Sequence, residues 1–173
     1  MVTLDNFLRN LTRENLEQAS TWVLLKVEDY TLNIHLDPHR ENRRSMIYNG
    51  LRISTIELGT LGSQQEIIYS LMHEIGHFLS NQTLSFEEAL ELKHYIGLAA
   101  SGTVKSYILE REVLAWEAGY EYFISHGIPV PKGYSRTMIR SLSTYVLDTE
   151  EKEYWINTIG RRVAIIAFKE ERQ

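Results

Sequence analysis

Residues 73–77 of this 173-residue chain read His-Glu-Ile-Gly-His. Two histidines four residues apart constrain the fold only if they sit on a helix, and the flanks say that they do. Ser63 and Glu66 make a capping box, serine at the N-cap and glutamate three residues on, which starts a helix just before the motif. Ile67, Ile68, Leu71, Met72, Ile75, Phe78 and Leu79 follow as its apolar surface, with few charges among them. Asn81 and Thr83 place its end near residue 80. The spacing predicts about 16 residues, roughly 24 Å of helix, with the motif late in it. At 3.6 residues per turn, His73 and His77 lie about 40° apart around the axis and one turn apart along it. Both imidazoles can reach one metal ion. Glu74 lies about 100° round from His73 and about 60° from His77, flanking that ion without occupying its site.

This is the HExxH spacing of zinc hydrolases, in which the glutamate is the base that activates water. The competing reading is two packed histidines beside a solvated glutamate. With no cysteine in the chain, no disulfide framework forms, and a metal must be held by histidines and carboxylates.

The length is that of one domain with a real core, residues 1–173. Apolar content of 43% with 24% charged residues is that of a soluble globular protein. A net charge of -5 argues against nucleic acid as the main partner. The basic stretch His39 to Arg44 follows Pro38 and reads as a solvated loop. The first residues lack a signal-peptide pattern, and no apolar run reaches membrane-spanning length, so a cytoplasmic protein is expected by default.

A helix from Thr12 to about Asp29 is expected, with Leu16, Ala19, Val23, Leu24 and Val27 on one face. Residues 31–36 and 51–58 alternate polar and apolar and read as strands, the first ended by Asp37 and Pro38. Met46, Ile47 and Tyr48 form a third short strand before a turn at Asn49 and Gly50. Everything after residue 80 reads as helix. Ser85 and Glu88 cap one helix to about Leu98, and a long one runs from Val104 to Ser125, closed by Gly127 and Pro129. Two more fit 135–146 and 149–169, the last with Ile156, Ile159, Val163 and Ile166 as its apolar stripe, against the core or against a second copy. The fold class is α+β, predominantly helical, with about two or three strands before the motif helix. Whichever of strands 31–36 and 51–58 is a free edge would be a rail for an extended peptide.

A catalytic zinc has three protein ligands and an open position. The metzincin extension fails, since Ser80 and Thr83 stand where glycine and histidine belong, and the aspzincin pattern fails because Ser106 follows Gly102 and Thr103. His94, Glu110, Glu112, Glu117 and Glu121 remain. Glu112 is favoured. It shares a helix face with Ala115, Trp116 and Gly119, where an unpaired carboxylate would be costly to bury and small residues allow close packing on the motif helix. Glu117 and Glu121 read as exposed.

These segments, His73 to Leu79 and Glu112, Ala115, Trp116, Gly119, resemble the ImmA/IrrE-like zincin metallopeptidases, as does Ser141 to Tyr145. The resemblance covers about residues 50–145. It implies a minimal zincin-like, gluzincin-type fold, Zn2+ on His73, His77 and Glu112, and Glu74 as general base. It also implies a protein or peptide substrate, a repressor or other regulator among them; no DNA-binding module is evident. Where relatives often carry asparagine, this chain has Trp116; where many gluzincins carry an aspartate that orients a zinc histidine, it again has Trp116. Glu110 or a backbone carbonyl would have to serve. Oxyanion stabilisers come from Tyr107, Tyr134, Tyr145, His94 and His126 without ranking. The expected activity is zinc-dependent peptide hydrolysis. The rivals are a catalytically inactive zincin-fold regulatory or binding module, and a hydrolase of another amide or ester.

Overall fold

The computed structural model describes residues 1–11, 21–41, 44–99, 105–145 and 152–172. A mixed sheet precedes a helical half, and 59% of the described residues are helical. The strands are β1 (Val2–Thr3), β2 (Thr21–Val27), β3 (Tyr30–Glu41), β4 (Arg44–Asn49) and β5 (Arg52–Leu61). Their order in the sheet is β1-β2-β3-β5-β4, with β3 and β5 parallel and β2–β3 and β4–β5 antiparallel. The helices are α1 (Leu4–Arg9), α2 (Gln64–Gln82), α3 (Phe86–Ala99), α4 (Lys105–Ser125), α5 (Tyr134–Leu142) and α6 (Lys152–Glu170).

The sheet is larger than the two or three strands expected, because residues 21–27 are a strand and not the end of a helix, and Val2–Thr3 pair in parallel along it. Burial explains why. Val23, Leu25 and Val27 turn inward while Trp22, Leu24 and Lys26 are exposed, a period of two that the helical reading overlooked. A two-residue turn at Glu28 and Asp29 returns the chain into β3, with Glu28 at φ 51. The rest of that expected helix, residues 12–20, lies outside the described residues. Asp37 and Pro38 do not end β3 either. The strand continues to Glu41 across a register shift between Asp37 and Glu41, and a bulge is where a proline fits inside a sheet. The supposed basic loop is thereby mostly strand on both sides, residues 42–43 being outside the described set. The turn at Asn49 and Gly50 (φ 67) joins β4 to β5 as expected.

Ser63 and Glu66 form the capping box in full. Ser63 N–H donates to Glu66 Oε2 at 2.9 Å and Glu66 N–H to Ser63 Oγ at 3.2 Å. At the other end, Gly127 at φ 65 closes α4, with Ile128 N–H donating back to Phe123 C=O at 2.9 Å. No helix of the described residues is long and apolar enough to cross a membrane.

The helix α2 packs between the sheet and α4. A methyl group at Gly76 would stand 1.8 Å from the Ala115 carbonyl oxygen, and one at Gly119 would stand 2.1 Å from that of Met72. The two backbones therefore touch, and this crossing sets the distance between everything the two helices carry. Glu121 is exposed as expected and Glu117 is half-buried, and both pair with α6. Arg162 donates to Glu117 through Nε at 2.8 Å and Nη2 at 2.7 Å, and Lys169 pairs with Glu121. Ile159, Val163 and Ile166 of α6 are buried; Ile156 is exposed and drops out of the stripe.

Two glycine substitutions should act with opposite sign. Gly76→Ala is expected to destabilise by about 3 kcal/mol or more, since both clashing groups are backbone. Gly160→Ala, in an exposed stretch of α6 with nothing near, should stabilise by about 0.5–1 kcal/mol. Urea unfolding midpoints of the two variants check this.

Candidate metal centre

Leu71 to Phe78 of α2 are all buried, His73 at 3% exposure, Glu74 at 4% and His77 at 9%. Three polar groups in the interior need partners. Glu112, from one turn of α4 before the glycine crossing, supplies one. Its Oε2 is 3.1 Å from His73 Nε2, its Oε1 is 3.2 Å from His77 Nε2, and the two Nε2 atoms are 3.1 Å apart. The expected trio is thus brought together. His73, His77 and Glu112 could hold a metal ion, their donor atoms all lying within 4.8 Å of one another.

The electrostatics suit a cation. Burial pushes the Glu112 carboxyl up, but hydrogen bonds and charge from His73 and His77 outweigh it and hold it far below the usual carboxylate range. Burial, and then His77, push His73 down, so its imidazole is neutral. Burial also pushes His77 down, but the hydrogen bond and charge of Glu112 outweigh it and raise the imidazole above its ordinary value. A cation entering here meets an ionised carboxylate and, in His73, an imidazole that burial holds in its neutral, ligating form. The field of Glu74 also reaches both histidines.

Trp116 packs against His73 with the rings tilted by 32° and their centroids 4.5 Å apart, and Tyr134 Oη donates to the Trp116 carbonyl at 2.7 Å. His73 Nδ1 is buried without a hydrogen-bond partner among the described residues. Neither Glu110, which is exposed, nor a carbonyl fills the orienting role expected of them; the indole face positions the ring by packing instead.

The other candidates lie elsewhere. His94 is exposed on α3, Tyr107 packs at a tilt against Tyr95 with centroids 4.5 Å apart, and His126 stands 3.6 Å from Glu28. Tyr134 is committed to the core, and Tyr145 packs against the core's rim. Two residues at the site were missed: Tyr48, on β4, and Arg111, beside Glu112. Burial pushes the Tyr48 hydroxyl up; Arg111 pulls it down, and Glu74 and Glu112 push it up again. Both residues line a cavity of about 310 Å³ that opens against His77 and Glu112. The β-period of Met46 and Tyr48 and the sequence adjacency of Arg111 to Glu112 were the available signals.

Strands 31–36 and 51–58 are both interior, so neither is the free edge proposed for a rail. Among the described residues β4 pairs only with β5, and β4 is the edge beside the cavity. The turn after β4 and the start of β5 are tied to Asn81 at the end of α2. Ile53 N–H donates to Asn81 Oδ1 at 3.0 Å, Asn81 Nδ2 donates to Leu51 C=O at 3.3 Å, and Arg52 donates to the carbonyls of Asn81 and, at 2.7 Å, of Leu84.

No family model, curated protein or solved structure matches this chain.

Metal analysis of natively purified protein should find about one ion per chain, and Glu112→Ala should lower that content at least about tenfold. Equal content in both proteins would place the third ligand elsewhere.

Proposed function

We propose that this chain is a zinc-dependent metallopeptidase of the ImmA/IrrE-like zincin type, hydrolysing a peptide bond in a specific protein partner. The observation that carries the reading is the near-equilateral set of donor atoms, 3.1–3.2 Å apart, with Glu74 buried alongside. A tetrahedral ion with bonds of about 2.0–2.1 Å needs donors about 3.3 Å apart, which suits zinc and leaves a fourth position open. A neutral imidazole and an ionised carboxylate complete a ligand set of zinc's usual chemistry. The α+β order, with a sheet edge beside the motif helix, agrees with a minimal gluzincin-type fold.

Zinc bound there supplies Lewis acidity toward water and the scissile carbonyl. Glu74 takes the proton from the attacking water and passes it to the leaving amine. The unpaired side of β4 is suited to hold an extended peptide by main-chain hydrogen bonds, which fixes the scissile bond relative to His77 and Glu112. Tyr48 and Arg111 line the cavity beside that edge and can donate to such a peptide.

One observation favours the rival module that binds a regulator without cutting it. His73 Nδ1 lacks the hydrogen bond that usually orients a metal-bound imidazole.

The discriminating variant is Glu74→Gln. It should retain zinc and lower cleavage of a randomised peptide mixture by at least about a hundredfold, read by mass spectrometry. Unchanged cleavage would remove Glu74 from the chemistry. Absence of cleavage by zinc-loaded wild type would favour the binding module.

A further inference from the structure

The helix α6 is apolar on two sides. Ile159, Val163 and Ile166 face the core. At about 100° per residue, Tyr154, Ile165 and Phe168 lie roughly 180°, 160° and 140° round the axis from Val163. That is the side a surface helix ordinarily fills with charge. Here the three residues are 64%, 56% and 53% exposed. Beside them, Ala164 and the exposed Ile124 of α4 complete a shallow groove of about 710 Å³ between the two helices.

The size of the face says what kind of contact covers it. With about 200 Å² for a fully exposed large side chain, Tyr154, Ile165, Phe168 and Ile124 offer on the order of 400 Å² of apolar surface. Homodimer interfaces are about 65% apolar, so a contact built on this face spans roughly 600 Å² per copy. Two copies would bury about 1,200 Å² in all, where stable specific interfaces begin. A face that meets itself across a two-fold axis needs no second surface.

Charge sets the direction. Glu153 lies in the first turn of α6, Arg161 lies on the apolar side and Arg172 stands just past the end; none has an ion-pair partner among the described residues. Arg172 rests over Phe168 instead, 4.0 Å from the ring centroid. Its neighbours are already engaged, Lys169 with Glu121 and Glu170 with Ser135. A parallel pairing of two α6 helices sets each of these charges against itself. An antiparallel pairing about a point midway between Arg161 and Ala164 sets Glu153 of each copy beside Arg172 of the other. Arg161 then lies near the axis, where its stem covers the apolar seam and its head reaches water.

We infer that α6 joins two copies of this chain, antiparallel, across its outer apolar face. The inference is independent of peptide cleavage. Because α6 also pairs with Glu117 and Glu121 on α4, the contact backs the helix that carries Glu112.

Sedimentation of the full chain over about 1–200 µM should show a monomer–dimer equilibrium with a dissociation constant on the order of 10 µM. Ile165→Glu combined with Phe168→Glu, both at positions more than half exposed, should weaken it at least about tenfold and leave metal content unchanged. The chain has no cysteine, so introduced ones report without background. Glu153→Cys combined with Arg172→Cys should cross-link two copies on mild oxidation, and neither cysteine alone should. Within one helix those positions are about 28 Å apart, so the bond cannot close inside a chain. A monomer at the highest concentration overturns the inference, and so does a dimer unaffected by the two glutamates. If the glutamate variant does not fold, the cysteine pair decides: absence of its cross-link overturns the inference as well. Cross-linking through either single cysteine overturns the antiparallel order.

Discussion

The contact between the backbones of α2 and α4 is the constraint on which the rest of the structure depends. With Gly76 against Ala115 and Gly119 against Met72, the helices approach as closely as their main chains allow. Glu112 lies one turn before Ala115 and Trp116, so its carboxylate arrives at the imidazoles of His73 and His77 with both oxygens engaged. A side chain at either glycine would push the helices apart by more than a hydrogen bond can stretch. The glycine inside the motif is therefore structural: it gives the histidines their third partner. The same crossing brings Trp116 over His73, so one contact both assembles the cluster and packs its ring.

How legible this was differed by element, for physical reasons. The motif helix was readable because its cap, its apolar period and its histidine spacing all agree. Glu112 was readable because a carboxylate on a face of small and aromatic residues needs a reason to be buried. β2 was not. Trp22, Leu24 and Ile47 are exposed on the outer face of the sheet, so apolar residues point both ways and the period of two is blurred. β3 was cut short because Asp37 and Pro38 usually break strands, and a bulge hides in sequence. The free edge could not be read at all, since pairing between distant segments decides it. β4, only six residues long, occupies the place that two longer strands seemed to claim.

The metal centre and the cavity share His77 and Glu112 but differ in what else they draw on. The cluster comes from two helices locked at their crossing. The cavity draws on the β4–β5 hairpin, α2, α3 and α4 together. Asn81 and Arg52 connect the two by tying the hairpin to the end of the motif helix. The metal-site residues and the cavity are thus held to a common frame.

The buried His73, His77 and Glu112 have a consequence for the chain's persistence. They place two imidazoles and a carboxylate where the interior would otherwise hold apolar contacts, and an unfolded chain has no such preformed trio. An ion that binds the trio binds the folded state alone. Free ion at a hundred times its dissociation constant would then add about 2.7 kcal/mol to stability. For a protein of ordinary marginal stability that is a large share. Its resistance to unfolding and to degradation would follow the supply of that ion, so the amount of protein present would itself record metal availability.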